Sequence, residues 1–306
     1  MLLTIAESVH GALGPSLAPL LERATITRLG QGVDQVRRID REARDRTLAC
    51  LRDYAAELER LGVAELAVVG TSAMRDAENG AEFIEQAERI LGVAPRVVSG
   101  AEEARLTFIG ALSGLDLEGP VLVVDIGGGS TELIHGSADP LHVTDAVSLD
   151  VGSVRLTERH LHRDPPTETE LALARQDVRA ALRGVRRPPE DAEFVGVAGT
   201  VTTLVAVARQ LDTYRGAAVH GQPLDAETVG NLARRLAELP LARRRELAGL
   251  EPARADVIVA GALLLDEALA WSQKQRLLAS DRGVRWGILA DLASPSAKKP
   301  PESSQT

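Results

Sequence analysis

Apolar and polar positions follow two periods along this chain. Leu2 to Glu7 and Arg23 to Leu29 (RATITRL) alternate with the two-residue period of half-buried strands, and Gly30 and Gly32 end the second run. From Arg41 to Leu61 the apolar residues Leu48, Leu51, Tyr54, Ala55 and Leu58 line one face, which predicts a helix. Asp40 is a suitable N-cap for it and Gly62 a stop. Leu66 to Val69 predicts a buried strand, and Thr71 to Asp76 a polar loop. Ala81 to Leu91 predicts a helix closed by Gly92. Arg96 to Val98 reads as a strand that turns through Ser99 and Gly100 into a helix over Ala101 to Leu112. Strands alternating with helices imply an α/β layer.

Gly114 to Pro120 holds two acids, two glycines and a proline, and predicts a boundary. A second α/β region then begins at Val121. Its expected strands lie near Glu132–Ile134, Ala146–Leu149 and Phe194–Val197. Its expected helices lie near Thr169–Leu182, Val201–Leu211, Ala226–Glu238 and Val257–Ala270, with a last core element at Gly287–Leu292. The pattern thus gives a first domain at 1–117, a second at 118–293 and a Pro- and Ser-rich disordered tail at 294–306. No repeat of fixed period is present.

Composition narrows the function classes. The 306 residues give room for two domains. Aromatic residues are 2% of the chain, too few for the stacking platforms of a single-strand nucleic-acid binder. The net charge of −9, without a basic tail, argues against general nucleic-acid or membrane binding. It leaves room for an anionic substrate held by a local cluster of arginines and amides. One cysteine, Cys50, excludes an intramolecular disulfide framework and a Cys-rich zinc site. No apolar run reaches membrane-spanning length and the N-terminus lacks a basic n-region, so the reading is cytoplasmic. Lysine occurs only at 274, 298 and 299, so a Walker-type phosphate lysine has no candidate.

The most specific motif is Val121-Leu-Val-Val-Asp125-Ile126-Gly127-Gly128-Gly129-Ser130-Thr131-Glu132. A buried strand ends in an acid, and three glycines allow a tight turn whose amides can converge on a phosphate. The following residues read as a strand, so this is a hairpin cradle, unlike a Rossmann or Walker loop that opens a helix. Asp125 and Glu132 flank it and suit a hydrated Mg²⁺. Glu102 and Glu103 fall in the first turn of a predicted helix. There they serve either the helix dipole or, as a general base, attack of water on phosphorus, and spacing alone favours the dipole. Thr71, Ser72 and Arg75 lie in a loop after a buried strand. Arg75 there is either a solvated arginine or a bidentate phosphate ligand. Gly199 and Thr200 mark a strand-to-helix turn, equally an ordinary capped turn or an anion site. Ser280 to Gly283 is a turn that could line a cleft. His160 and His162 read as surface residues.

Taken together, Thr27–Gly32, Thr71–Arg75, Ser99–Arg105, Asp125–Glu132, Ser148–Glu158, Ala198–Thr203, Arg254–Asp256 and Ser280–Gly283 resemble, in order, the motifs of the exopolyphosphatase/guanosine-pentaphosphate phosphohydrolase (Ppx/GppA) family. The resemblance runs from Met1 to about Leu292. It implies the two-domain α/β fold of actin, Hsp70 and sugar kinases (ribonuclease H-like), with the site in the cleft between domains. It also implies Mg²⁺-dependent removal of the terminal phosphate from inorganic polyphosphate or guanosine pentaphosphate. Carried over by motif, Glu103 would be the catalytic base, and Asp125 and Glu132 would organise Mg²⁺ and water. Gly127, Gly128, Gly129 and Ser130 would form one phosphate loop, and Thr71, Ser72, Arg75, Gly199 and Thr200 would add phosphate contacts. The chain is similar to the short form, without the C-terminal helical domain, and homodimers are common among such relatives.

One departure stands out. The family opens with a strand ending in an acid-x-Gly-Ser/Thr-Asn-Ser/Thr cradle, whereas Met1-Leu2-Leu3-Thr4-Ile5 lies inside the next strand. The expectation is a start about ten to fifteen residues upstream, the length of a strand and tight loop. The alternative is a shortened, inactive, phosphate-sensing protein. A kinase of the same superfamily is a third reading, requiring ATP and an acceptor site.

Overall fold

The computed structural model describes residues 1–11 and 14–293, so the tail expected at 294–306 lies outside the described residues. From the N-terminus, β1 (Leu2–Gly11) and β2 (Gly14–Ala24) form an antiparallel hairpin, paired from Leu2↔Ala24 to Gly11↔Gly14. The strand expected at Arg23–Leu29 is therefore not formed: pairing stops at Ala24. What holds the hairpin is its inner face, where Leu3, Ile5 and Leu21 pack on Cys50 and Tyr54. Thr25 ends it, its amide bonding Met1 O at 2.8 Å and its hydroxyl the Tyr54 hydroxyl at 2.8 Å.

α1 (Val33–Val36) and α2 (Arg41–Arg60) follow. α2 begins and ends where its caps predict. The Asp40 carboxylate accepts from Glu42 N at 2.9 Å and Ala43 N at 3.2 Å, and Gly62 adopts φ +61° just past the end. β3 (Val69–Gly70), α3 (Ser72–Asp76), α4 (Gly80–Leu91), β4 (Arg96–Val97) and α5 (Gly100–Leu112) come next. The run Leu66–Val69 is half-buried, with only Val69 in a ladder. Among the described residues β3 pairs with β4 alone, so the backbone has no second partner to extend it. The loop expected at Thr71–Asp76 coils instead into α3, with Met74 N and Arg75 N both donating to Thr71 O.

The later elements are β5 (Pro120–Ile126), β6 (Thr131–Ser137), β7 (His142–Leu149), α6 (Ser153–His160), α7 (Glu168–Ala181), β8 (Glu193–Val197) and α8 (Ala198–Ala208). They continue with α9 (Gly216–Val219), β9 (Pro223–Asp225), α10 (Ala226–Glu238), α11 (Leu241–Arg244) and a 3₁₀ turn at Pro252–Arg254. α12 (Ile258–Ser272), β10 (Arg276–Ala279) and α13 (Val284–Ala293) complete the described chain. Six of these strands make one sheet, ordered β7-β6-β5-β8-β10-β9. β5, β8 and β10 are parallel, while β6, β7 and β9 are antiparallel to their neighbours. Val121 to Val124 of β5 are fully buried because both edges are paired and both faces covered.

Two compact units result: Met1–Leu106 with the chain from Arg285, and Thr107–Val284. Their limits differ from 117/118 and 293 because the division falls inside α5 and at the start of α13. Phe108, fully buried, lies against Gly136 of β6 in the second unit. In the first, a Cβ on Gly287 would fall on the Leu106 carbonyl, and Trp286 Nε1 donates to Glu22 at 3.0 Å. The terminal helix therefore belongs with the N-terminal residues. Among the described residues no helix is long and apolar enough to cross a membrane.

Candidate active site

The parallel strands of the second unit end level with one another. Asp125 of β5 pairs with Val197 of β8, and Ala279 of β10 with Gly196. The glycine loop, the Ala198–Thr200 turn and Ser280 thus leave the sheet along one edge, the carboxyl end. In α/β sheets this is where ligands bind.

Hydrogen bonding shapes the glycine loop for an anion. Gly127 N donates to Ser130 O at 3.0 Å and closes the turn. The first amides of α6 would otherwise be orphans. Ser153 N donates to Gly127 O at 3.0 Å, and Val154 N and Arg155 N to Gly128 O at 2.9 and 3.1 Å. A trans peptide holds its N–H opposite its C=O. With the carbonyls of Gly127 and Gly128 aimed at α6, the amides of Gly128 and Gly129 point away from it. Among the described residues these two amides and that of Ser130 have no backbone acceptor. Gly128 and Gly129 are exposed and Ser130 half-exposed, so an incoming anion can reach them.

Asp125 and Glu132 face each other across β5 and β6. Directly opposed residues project on the same face. The row continues to β7, where Ser148 opposes Glu132 and its hydroxyl donates to Glu132 Oε1 at 2.8 Å. No group of three or more His, Cys, Asp or Glu able to hold a metal occurs among the described residues. Two carboxylates beside open amides fit Mg²⁺ nonetheless, because this ion keeps waters and takes phosphate oxygens to complete its shell.

At the β8–α8 turn, a Cβ on Gly199 would fall on the Arg254 guanidinium, so glycine is what admits that side chain. Thr200 is buried, and a Cβ on Gly261 of α12 would fall on its side chain, so glycine there is what admits the threonine. Ser280 is fully buried and pairs with His220 Nδ1 at 3.3 Å. His160, expected as a plain surface residue, is tied to Asp177 at 3.0 Å.

The N-terminal unit assembles Thr71, Ser72, Arg75 and Glu103. Thr71 and Ser72 open α3, both half-exposed. Arg75 Nη1 donates to Glu103 Oε2 at 2.8 Å and to Val98 O at 2.9 Å. Glu102 instead accepts from Arg96 at 2.5 Å. The two adjacent acids, indistinguishable by spacing, thus have different partners. Within the second unit, Ser148 at Glu132, Arg155 near Gly129 and Arg254 at Gly199 complete the surroundings of the glycine loop and the β8–α8 turn; all three lie in the family-like stretches, but nothing local in the sequence marks them out.

These features define a class: an α/β protein with a glycine-rich hairpin cradle between two carboxylates, at the carboxyl end of parallel strands. Comparison with known proteins identifies the family. The Ppx/GppA phosphatase family profile matches residues 4–295. Exopolyphosphatase 2 of Mycobacterium tuberculosis is 39% identical over 305 residues, covering 95% of this chain and 94% of the relative. The crystal structure of the Aquifex aeolicus Ppx/GppA family member superposes with a TM-score of 0.82 at 31% identity, over 98% of this chain and 95% of that one. An exopolyphosphatase from Cytophaga hutchinsonii, 24% identical with a TM-score of 0.83 over 95% of this chain and 93% of its own, shares the fold. The chain belongs to the Ppx/GppA phosphatase family and shares the α/β fold of its solved members.

Proposed function

We propose that this protein is a phosphohydrolase that releases the terminal phosphate of inorganic polyphosphate, and of guanosine pentaphosphate where the same terminal group is presented. The observation that carries the reading is the glycine loop, whose outward amides lie beside the opposed carboxylates Asp125 and Glu132. In this reading the amides of Gly128, Gly129 and Ser130 receive phosphoryl oxygens, supplemented by Gly199 and Thr200 through their amides and by Thr71 and Ser72. Asp125 and Glu132 would hold Mg²⁺, which when bound neutralises phosphoryl charge. Glu103 accepts the proton of the attacking water as its oxygen bonds to the terminal phosphorus. The bridging P–O bond breaks, orthophosphate leaves, and the shortened chain keeps the bridging oxygen. What supports hydrolysis is the phosphatase family and the exopolyphosphatase relatives.

The test is release of inorganic phosphate from polyphosphate and from guanosine pentaphosphate, with Mg²⁺ and with chelator. Release is expected only with Mg²⁺, and Glu103→Gln is expected to lower it by about a hundredfold or more. Equal rates in Glu103→Gln and wild type would remove Glu103 from the role of base. Polyphosphate binding without any turnover would leave a non-catalytic phosphate sensor.

A further inference from the structure

Arg75 occupies an unusual place for a residue expected to grip substrate. One of its nitrogens, Nη1, serves two acceptors, the Val98 carbonyl at 2.9 Å and Glu103 Oε2 at 2.8 Å. Val98 lies at the end of the segment that carries β4, just before the turn into α5, so the guanidinium ties the base to the backbone that launches its own helix. That first turn is further fastened by Ser99, whose Oγ accepts from Glu102 N at 3.2 Å and whose carbonyl accepts from Glu103 N at 2.9 Å. Arg75 is itself held from below, its amide donating to Thr71 O at 3.1 Å. The side chains of Arg75 and Glu103 are 31% and 22% exposed. An ion pair this open to water adds little to folding stability. Its anchoring at both ends therefore calls for another purpose. Only one carboxylate oxygen of Glu103 is engaged; Oε1 has no partner among the described residues, and neither do Nε and Nη2 of Arg75.

We infer that Arg75 is a positioning residue for Glu103: it fixes Oε2 and thereby sets the direction in which Oε1 meets the attacking water. The inference rests on the reading of Glu103 as base. A general base gains its effect only within hydrogen-bond reach of the proton it takes, and small misplacements cost large factors in rate. A residue that only bound substrate would act on KM; one that aims the base acts on kcat.

The experiment is steady-state phosphate release from polyphosphate with Mg²⁺ by wild type, Arg75→Ala, Arg75→Lys, Glu103→Gln and the double variant Arg75→Ala/Glu103→Gln, with thermal denaturation of each as a check on folding. Arg75→Ala is expected to lower kcat by about ten- to a hundredfold with KM changed by no more than about twofold. Arg75→Lys keeps the positive charge and brings three N–H donors, but on a side chain of different length and shape, so it recovers part of that loss. In the Glu103→Gln background, Arg75→Ala adds no further loss, because the group it aims is already gone. A raised KM with kcat intact, or losses that multiply in the double variant, would overturn the inference. If Glu103→Gln is inactive while Arg75→Ala equals wild type, this inference alone falls. If wild type shows no turnover, or Glu103→Gln matches it, the hydrolase reading falls and this inference with it.

Discussion

Gly152 is required by a neighbour's backbone more than by its own. Its φ of −151° is ordinary extended backbone, open to any residue. A Cβ there, however, would lie 2.5 Å from Gly128 O and 2.7 Å from Gly129 C. Gly152→Ala must therefore push on the glycine loop or on the start of α6, whose amides hold that loop's carbonyls. Overpacking of this kind costs about 1–3 kcal/mol. The expected outcome is a lower melting temperature, together with a fall in phosphate release, since the loop amides are re-aimed. An alanine variant with wild-type stability and rate would show that the contact is slack. No local pattern reveals this constraint, because Gly152 meets a loop on another strand connection. The same is true of Arg75 and Glu103, which are 28 positions apart. By contrast, Asp125, the three glycines, Ser130 and Glu132 are legible in the sequence because the whole cradle is built from one short stretch.

The longer helices were legible for a related reason, their local start and stop signals, whereas the short α3 was read as a loop. α10 spans Ala226–Glu238, the range its periodicity predicts, and α2 and α4 stop at Gly62 and Gly92, both with positive φ. Strands depend on distant partners, which explains the misreadings at Arg23–Leu29 and Leu66–Val69 and the absence of β9 and β10 from the sequence reading. α7 shows how a local signal becomes a measurable one. Thr167 and Glu170 form a capping box, with Glu170 N donating to Thr167 Oγ1 at 3.3 Å and Thr167 N to Glu170 Oε2 at 2.7 Å. The other carboxylate oxygen accepts from His162 N at 3.0 Å and Arg163 N at 3.1 Å. These donors, the Thr167 amide foremost, lower the Glu170 pKa to about 2. A carboxyl depressed by folding stabilises the native state above its unfolded pKa of about 4.3 and loses that contribution as pH falls towards 2. Glu170→Gln should therefore be less stable than wild type at pH 7, with the gap closing on acidification from about pH 4.5 to 2. Urea unfolding of both proteins at several pH values would read this. A gap independent of pH would mean that the carboxylate charge contributes nothing to the cap.

At the scale of the whole molecule, the two units are built with unequal resources. The second unit has a six-stranded sheet and one continuous core that joins β5, β8, α8, α10 and α12 through Val124, Phe194, Leu204, Leu236 and Leu264. The described residues of the first unit form two separate two-stranded ladders, one with only two residues per strand. Among its described residues one cluster of buried side chains lies around Leu48, Leu51 and Phe83 and a separate one around Leu3, Ile5 and Tyr54. Local opening costs least where few apolar contacts and few ladder bonds must be broken. Hydrogen exchange under native conditions should therefore be faster at Val69, Gly70, Arg96 and Val97 than at Val121–Val124 and Val195–Val197. Mild denaturant should widen the difference, because the smaller clusters lose cooperativity first. Since Thr71, Arg75 and Glu103 adjoin the two short strands, the exchange of this region also reports how firmly the proposed base is held before substrate arrives. Protection at β3 and β4 equal to that of β5 would contradict the argument, and would mean that contacts beyond these short ladders hold the first unit together.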